Sequence, residues 1–316
     1  MKRFMKTLAL VSAGILLVGI LLCAIALFKA PNGFSDVLEW LKEPVYMNKD
    51  ENGHWQIESG SDTALYDRDY SAKDSVTKLE VEGVDEDIVL IPSETREKVF
   101  VSYTEGDGVA YDISEADGCL RIARKGTGEQ KLQINFSIHE SSRICVEYPA
   151  DSTLKAVSLV SISGGMQIET AEKLDTLSID TTSGEIDLKN VEAGDVTLNG
   201  ISMETEGSLV CDTLAYFATS GEAELTLTAN KAAFTAISTD FELKLTGSAD
   251  EYAVACSGIS TDFSMNGEEF AELQEDSTYI FIDGRAVKAR DGEAETKPHL
   301  FSFSMTSGDV ELKTEQ

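Results

Sequence analysis

Leu177-Ser-Ile-Asp-Thr-Thr-Ser183-Gly-Glu-Ile-Asp-Leu188 is the stretch from which the fold is read. Two apolar residues at alternate positions lead to a serine, and two more follow it. The phrase returns around Ser163, Ser202, Ser220, Ser238, Ser260 and Ser307, at successive spacings of 20, 19, 18, 18, 22 and 47 residues. A period near 20 residues marks a stacked repeat architecture.

Aligning the phrases on their serines shows what each position demands. Six and four residues earlier lie Val157 and Leu159, Leu177 and Ile179, Val196 and Leu198, Leu214 and Tyr216, Ala232 and Phe234, Val254 and Cys256, Phe301 and Phe303. Side chains alternate faces along a strand, so these point inward. Two residues before the serine the position is small, with Met305 the exception. Three and five residues after it apolar residues return, as at Ile186 and Leu188 or Phe241 and Leu243; Thr205 and Gly207 break this rule. Each repeat is therefore expected to be one coil of two short strands around a narrow corner. The corner serines Ser163, Ser183, Ser202, Ser220, Ser238, Ser260 and Ser307 are expected to be internal staples, since a hydroxyl both donates and accepts. The expected fold is all-β: a single-stranded β-solenoid, or β-helix-like stack, of about seven coils of ~20 residues after an N-terminal transmembrane helix.

That helix is read from Leu8 to Phe28, an apolar run without charge. Its 21 residues, at about 1.5 Å each, match a hydrocarbon core of about 30 Å. Lys2, Arg3 and Lys6 precede it, which keeps the N-terminus in the cytoplasm and sends the rest outside. A cleaved signal peptide is the competing reading, because Ala24-Ile-Ala26 has the small-x-small form of a cleavage site. The domain expectation is a tail and anchor over 1–29, a juxtamembrane linker over 30–76, and an extracellular solenoid over 77–316. Coils occupy 150–265 and 300–313, with an excursion over 266–299. Within the linker, Phe34 to Leu41 has helical apolar spacing. Short alternating runs from Lys78 to Tyr148, including Leu132 to Ile138, extend the β-region before the repeats. In the excursion, Asp283-Gly284 between apolar runs signals a hairpin. The excursion is expected either to form a degenerate coil or to cover the end of the stack.

The chain has 56 acidic and 26 basic residues and a net charge of −30. Such a surface repels nucleic acid and anionic headgroups and suits cations or cationic polymers. Cys119, Cys145, Cys211 and Cys256 lack metal-binding spacing and are expected as free, small hydrophobes. His54, His139 and His299 are scattered, and no phosphate-binding glycine loop occurs.

One charged pattern stands out. Two residues after the repeat serine lie Glu185, Glu204, Glu222, Asp240, Asp262 and Asp309, with Gly165 the exception. Coils stacked in sequence order would make Glu185, Glu204, Glu222, Asp240 and Asp262 an unbroken ladder. Two charges about 5 Å apart repel by roughly 0.8 kcal/mol in water, which a fold tolerates. The ladder is read as a solvated turn, or as a speculative site for Ca²⁺ or a cationic wall component, since oxygen ligands suit hard cations. No catalytic residue and no other cofactor is expected.

Leu79-Glu-Val-Glu-Gly83, Asp87-Ile-Val-Leu-Ile-Pro92, Ile144-Cys-Val-Glu-Tyr-Pro149, Thr182-Ser-Gly-Glu-Ile186 and Thr306-Ser-Gly-Asp-Val310 together carry a family resemblance. In their order and number the region from Thr77 to Glu315 resembles the bacterial cell-surface adhesin family of domain of unknown function 4097. Met203-Glu204, Thr239-Asp240 and Thr261-Asp262 depart from its usual Gly-acid pair. The resemblance implies a β-solenoid outside a cell, that of a Gram-positive bacterium. The functional expectation is a membrane-anchored adhesin or envelope-binding module without catalysis. Its partners are the bilayer through residues 8–28, with a cell-wall polymer or another membrane protein as candidate ligands and no nucleic acid. The alternatives are a carbohydrate-active β-helix enzyme using a carboxylate pair, and a passive spacer.

Overall fold

The computed structural model describes residues 45–49, 55–59, 66–106, 109–125, 132–134, 142–270 and 277–314. The expected anchor over 8–28 and the helical spacing at 34–41 lie outside them. Among the described residues no helix is long and apolar enough to cross a membrane. The chain divides into two compact units, residues 1–64 with 127–140, and residues 65–126 with 141–316.

In the first unit, strand Val45–Lys49 pairs antiparallel with Trp55–Ser59 and with Leu132–Ile134. Within the stretch read as linker, 30–76, the described residues include these strands and Tyr66–Ser71. Tyr66–Ser71 is almost wholly exposed and is held by antiparallel backbone pairing to Phe100–Glu105. A strand with no buried face leaves no apolar alternation in the sequence. Leu132–Ile134, expected to continue the repeat domain, pairs instead within the first unit.

The second unit is a solenoid-like parallel β-stack. Strand Ala156–Ser161 pairs in parallel with Lys78–Glu82 on one side and with residues 176–181 on the other. Met166–Glu169 pairs in parallel with Asp87–Ser93 and with residues 186–189. One continuous β-bonded run, Leu174–Leu245, then winds through the phrases of Ser183, Ser202, Ser220 and Ser238. The inward positions read from the sequence are buried, from Val157 and Leu159 through Phe241 and Leu243 to Val310 and Leu312. Thr205, which breaks the apolar rule, is buried beside Tyr216 at 3.3 Å between hydroxyls, and Met203 turns inward as well.

The coils do not stack in sequence order. Strand His299–Thr314 lies between residues 231–245 and Tyr252–Met265, parallel to both. Ser307 sits opposite Ser238 on one side and Ser260 on the other. The core shows why this position suits it. Phe303 stacks on Phe234 with ring centroids 4.6 Å apart, while the smaller Cys256 stands opposite its other side. Phe301 aligns with Ala232 and Val254. Large and small side chains thus interleave, as a close-packed interior requires.

The corners explain the placement further. The residue after the serine is, in stacking order, Gly164, Gly184, Met203, Gly221, Thr239, Gly308 and Thr261. Met203, Thr239 and Thr261 are buried and fill the corner from inside. Where they do so the opposing position two before the serine is small: a Cβ on Gly200 would lie 2.8 Å from Met203 Cβ, and one on Gly258 2.9 Å from Thr261 Oγ1. Two glycine corners nest against filled ones, whereas Gly184 packs on the carbonyl of Gly164, itself a glycine corner. Gly221 (φ 137°) and Gly308 (φ 116°) have left-handed backbones, and a side chain on either would collide with the carbonyl oxygen of Met203 or Thr239. From Gly184 to Thr261 glycine and filled corners alternate, because the Ser307 coil separates those of Ser238 and Ser260.

The excursion supplies the hairpin Ser277–Ile282 with Arg285–Lys288, turning at Asp283 (φ 51°) and Gly284 (φ 74°). It pairs antiparallel with residues 253–256, on the side of that strand away from His299–Thr314. Toward the opposite end of the stack, Lys78–Glu82 and Asp87–Ser93, backed by Cys119–Arg124 and Arg143–Pro149, flank a corner without serine. There the fully buried Glu86 accepts hydrogen bonds from Val84 and Asp85 N–H, Tyr111 Oη at 2.8 Å and Arg124 Nη1 at 2.9 Å.

Candidate functional site

The repeat serines face outward. Ser183, Ser202, Ser238 and Ser260 are exposed, and Ser163, Ser220 and Ser307 are half-buried. They are not the internal staples expected, because the narrow interior is taken by residues two before and one after them. Three of the hydroxyls still tie neighbouring corners from outside. Ser163, Ser220 and Ser307 donate to the carbonyls of Val84, Ile201 and Ile237 at 3.4, 3.3 and 3.1 Å. Ser183 makes the equivalent tie through its backbone N–H, which donates to the Ile162 carbonyl at 2.8 Å.

The acidic ladder follows the corner. Its order is Glu185, Glu204, Glu222, Asp240, Asp309, Asp262, and all six are exposed. The unbroken series expected from Asp240 to Asp262 is corrected, since Asp309 stands between them. The Asp309 N–H donates to Asp240 Oδ1 at 2.9 Å, and Asp309 aligns with Asp262. A second acidic column runs beside the first on the same strand face: Asp187, Glu206, Glu224, Glu242 and Glu311. The sequence reading missed it, although its signal was plain. Positions two apart on a strand share a face, and these residues stand four after the repeat serine.

Cations occupy only parts of this surface. Lys189 lies 3.2 Å from Asp187, and Lys313 lies 2.7 Å from Glu242 and 3.2 Å from Glu311. The ion pair with Lys313 lowers the Glu242 carboxyl below its usual range, chiefly through the hydrogen bond. Between them Glu185, Glu204, Glu206, Glu222 and Glu224, with Thr205, line a shallow hollow of about 100 Å³. No described lysine or arginine forms an ion pair with these five glutamates. Among the described residues no three or more His, Cys, Asp or Glu side chains are grouped to hold a metal ion. The hollow is therefore an open electrostatic surface, in which exposed carboxylates hold an attractive potential for cations.

Groups suited to nucleophilic or acid-base chemistry are engaged elsewhere. All four described cysteines are unpaired, with Cys211 and Cys256 buried and Cys119 and Cys145 half-buried. Burial pushes the Cys211 and Cys256 thiols up to about 12. His299 stacks on Tyr252 at 4.6 Å and its Nδ1 lies 2.8 Å from the Ala229 carbonyl oxygen. His54 and His139 lie outside the described residues.

The family follows from the repeat region. A family model described as Toastrack DUF4097 matches residues 76–316, and the chain belongs to that family. Among solved structures, a "putative adhesin" from Bacteroides fragilis is 18% identical with a TM-score of 0.45, covering 80% of this chain and 97% of its own. A "putative cell adhesion protein" from Clostridium sporogenes is 11% identical with a TM-score of 0.32, covering 80% of this chain and 100% of its own. A "putative lipid binding protein" from Parabacteroides distasonis is 12% identical with a TM-score of 0.42, covering 80% and 97% respectively. At such values these likenesses carry no argument about ligand or activity. A search of curated proteins gave no match.

Proposed function

We propose that this chain is a non-catalytic, adhesin-like binding module displayed outside the cell, and that it engages a cationic partner through its double acidic column. The carrying observation is the set of five glutamates around the hollow, none of them in an ion pair with a described cation. On this reading the seven serine phrases are seven rungs of one surface. Residues 8–28 hold the chain in a bilayer with the N-terminus in the cytoplasm, and the partner is a cationic wall polymer or the basic part of another membrane protein. Ca²⁺ would be attracted diffusely rather than chelated. A carbohydrate-active enzyme is not favoured, because a catalytic acid needs burial or a close partner to tune it. The ladder acids are exposed, and the buried Glu86 has its oxygens occupied.

The test is binding of the full chain to oligolysine at low and high salt. Binding in 50 mM NaCl that weakens at least tenfold in 500 mM NaCl, and at least tenfold in a Glu204→Gln/Glu222→Gln/Glu224→Gln variant, is the expected result. Binding unaffected by the variant overturns the acidic surface as the partner site. Turnover of a cell-wall polysaccharide, abolished by changing one acid pair, overturns the non-catalytic reading.

A further inference from the structure

The residue immediately before each repeat serine forms a second ordered row. In stacking order it reads Ile162, Thr182, Ile201, Thr219, Ile237, Thr306, Ile259. The alternation is strict in space but not in sequence, where Ile237 and Ile259 are consecutive; the inserted Ser307 coil restores it. The isoleucines are exposed by 54, 56, 54 and 69%, unusual for this residue type, and the threonines between them are exposed too. Isoleucine on the outside of a soluble strand invites a partner, and here it recurs on every second coil.

Adjacent strands lie about 4.8 Å apart, so the isoleucines stand about 9.6 Å from one another along the stack. A polyproline II segment has three residues per turn and rises about 3.1 Å each, presenting the same face every ~9.3 Å. Its accumulated mismatch over four posts is about 1 Å. An α-helix repeats a face over seven residues, about 10.5 Å, and slips by nearly 3 Å over the same span. A β-strand repeats every ~6.7 Å and meets only alternate gaps. The polyproline backbone makes no internal hydrogen bonds and needs donors for its carbonyls. The hydroxyls of Thr182, Thr219 and Thr306, and of the exposed Ser183 beside the first, lie between the isoleucine posts. Across the corner runs the first acidic column, which repels a second copy of this chain and attracts arginine or lysine.

We infer that the Ile–Thr row is a docking ridge for a basic, proline-rich protein segment in polyproline II conformation, lying along the stack. One apolar side chain per turn packs between isoleucines, and one cationic side chain per turn faces the ladder of Glu185, Glu204, Glu222, Asp240, Asp309 and Asp262. The inference rests on the proposed cationic partner and specifies its backbone form and spacing.

The probe is a (Val-Pro-Arg)₄ peptide, compared with a peptide of the same composition in shuffled order, titrated into the full chain by fluorescence anisotropy. The ordered peptide is expected to bind at least tenfold more tightly. An Ile201→Thr/Ile237→Thr variant, which copies the intermediate coils and keeps β-branching, should erase that preference with its circular dichroism and melting temperature unchanged. Equal binding of both peptides, or a preference that survives the variant, overturns the ridge while oligolysine binding leaves the acidic surface standing. Absence of binding by both peptides and by oligolysine overturns both readings. Tight binding of the shuffled peptide alone points to an extended β-partner and also overturns the inference.

Discussion

At the scale of single residues, Glu86 carries the largest local stake. Its carboxylate is fully buried and shared between Arg124, Tyr111 and two backbone N–H groups. Removing it strips Tyr111 Oη and two backbone N–H groups of their acceptor, while Arg124 keeps its ion pair with Asp85, at a cost of about 3–5 kcal/mol in all. Glu86→Ala is therefore expected to lower unfolding stability in urea by that amount; a loss under about 1 kcal/mol would refute the buried-pair account. Burial, and then the Glu86 charge, push the Tyr111 phenol well above its ordinary range. A raised folded pKa means that the contribution is fully present below about pH 10, where the unfolded phenol keeps its proton, and is lost as pH rises beyond. The buried thiols behave alike from about pH 8.5 upward. Cys211 and Cys256 are thus expected to resist iodoacetamide at pH 8.5 in the native chain and to react on unfolding; native labelling would contradict their burial. The hydroxyls of Thr239 and Thr261 are buried without a hydrogen-bond partner among the described residues. Replacing each by valine is expected to leave stability unchanged or raise it by about 1 kcal/mol, and a clear loss would mean that the hydroxyls are satisfied.

At the scale of elements, the apolar pattern made the two-strand coil legible, and every inward position read from it is buried. The stacking order was less legible, although its signal was present. Gly184, Met203, Gly221, Thr239, Thr261 and Gly308 lose their alternation in sequence at the Thr239–Thr261 step, so a glycine corner is missing there. Aligning phrases by spacing assumes that chain neighbours are space neighbours, and an inserted strand violates that. Tyr66–Ser71 was illegible for a different reason, since backbone pairing holds it without a buried face. The serines were misplaced because a small polar residue suits either side of a tight corner. Gly308→Ala probes the nested corner. With a left-handed backbone and the Thr239 carbonyl in the way, it is expected to destabilise by about 1–3 kcal/mol by chemical denaturation. A neutral result would show that the corner relaxes.

Over the whole molecule the charge governs behaviour. A net charge of −30 opposes compactness, and salt screens that repulsion over a Debye length of about 8 Å at physiological strength. The melting temperature is expected to rise between 10 and 300 mM NaCl. Ca²⁺ at millimolar concentration should add no more than Mg²⁺ at equal ionic strength, because no described carboxylates are grouped as a chelate. A shift specific to Ca²⁺, absent in the Glu204→Gln/Glu222→Gln variant, would establish a dedicated site and overturn that view.

The position of His299–Thr314 between two strands that precede it gives this stack an unusual history. During synthesis, residues 231–245 and 252–265 are made before the strand that separates them. Neither can pair along the edge that faces this strand until residues 299–314 have been made. A repeat stack built in order can grow rung by rung as it emerges, each new coil resting on the last. Here the distal part must wait as an open cleft, with two unsatisfied edges and a row of phenylalanines missing between them. Completion then comes as a single late event that closes both edges together. A chain cut short before residue 299 would therefore forfeit two interfaces at once.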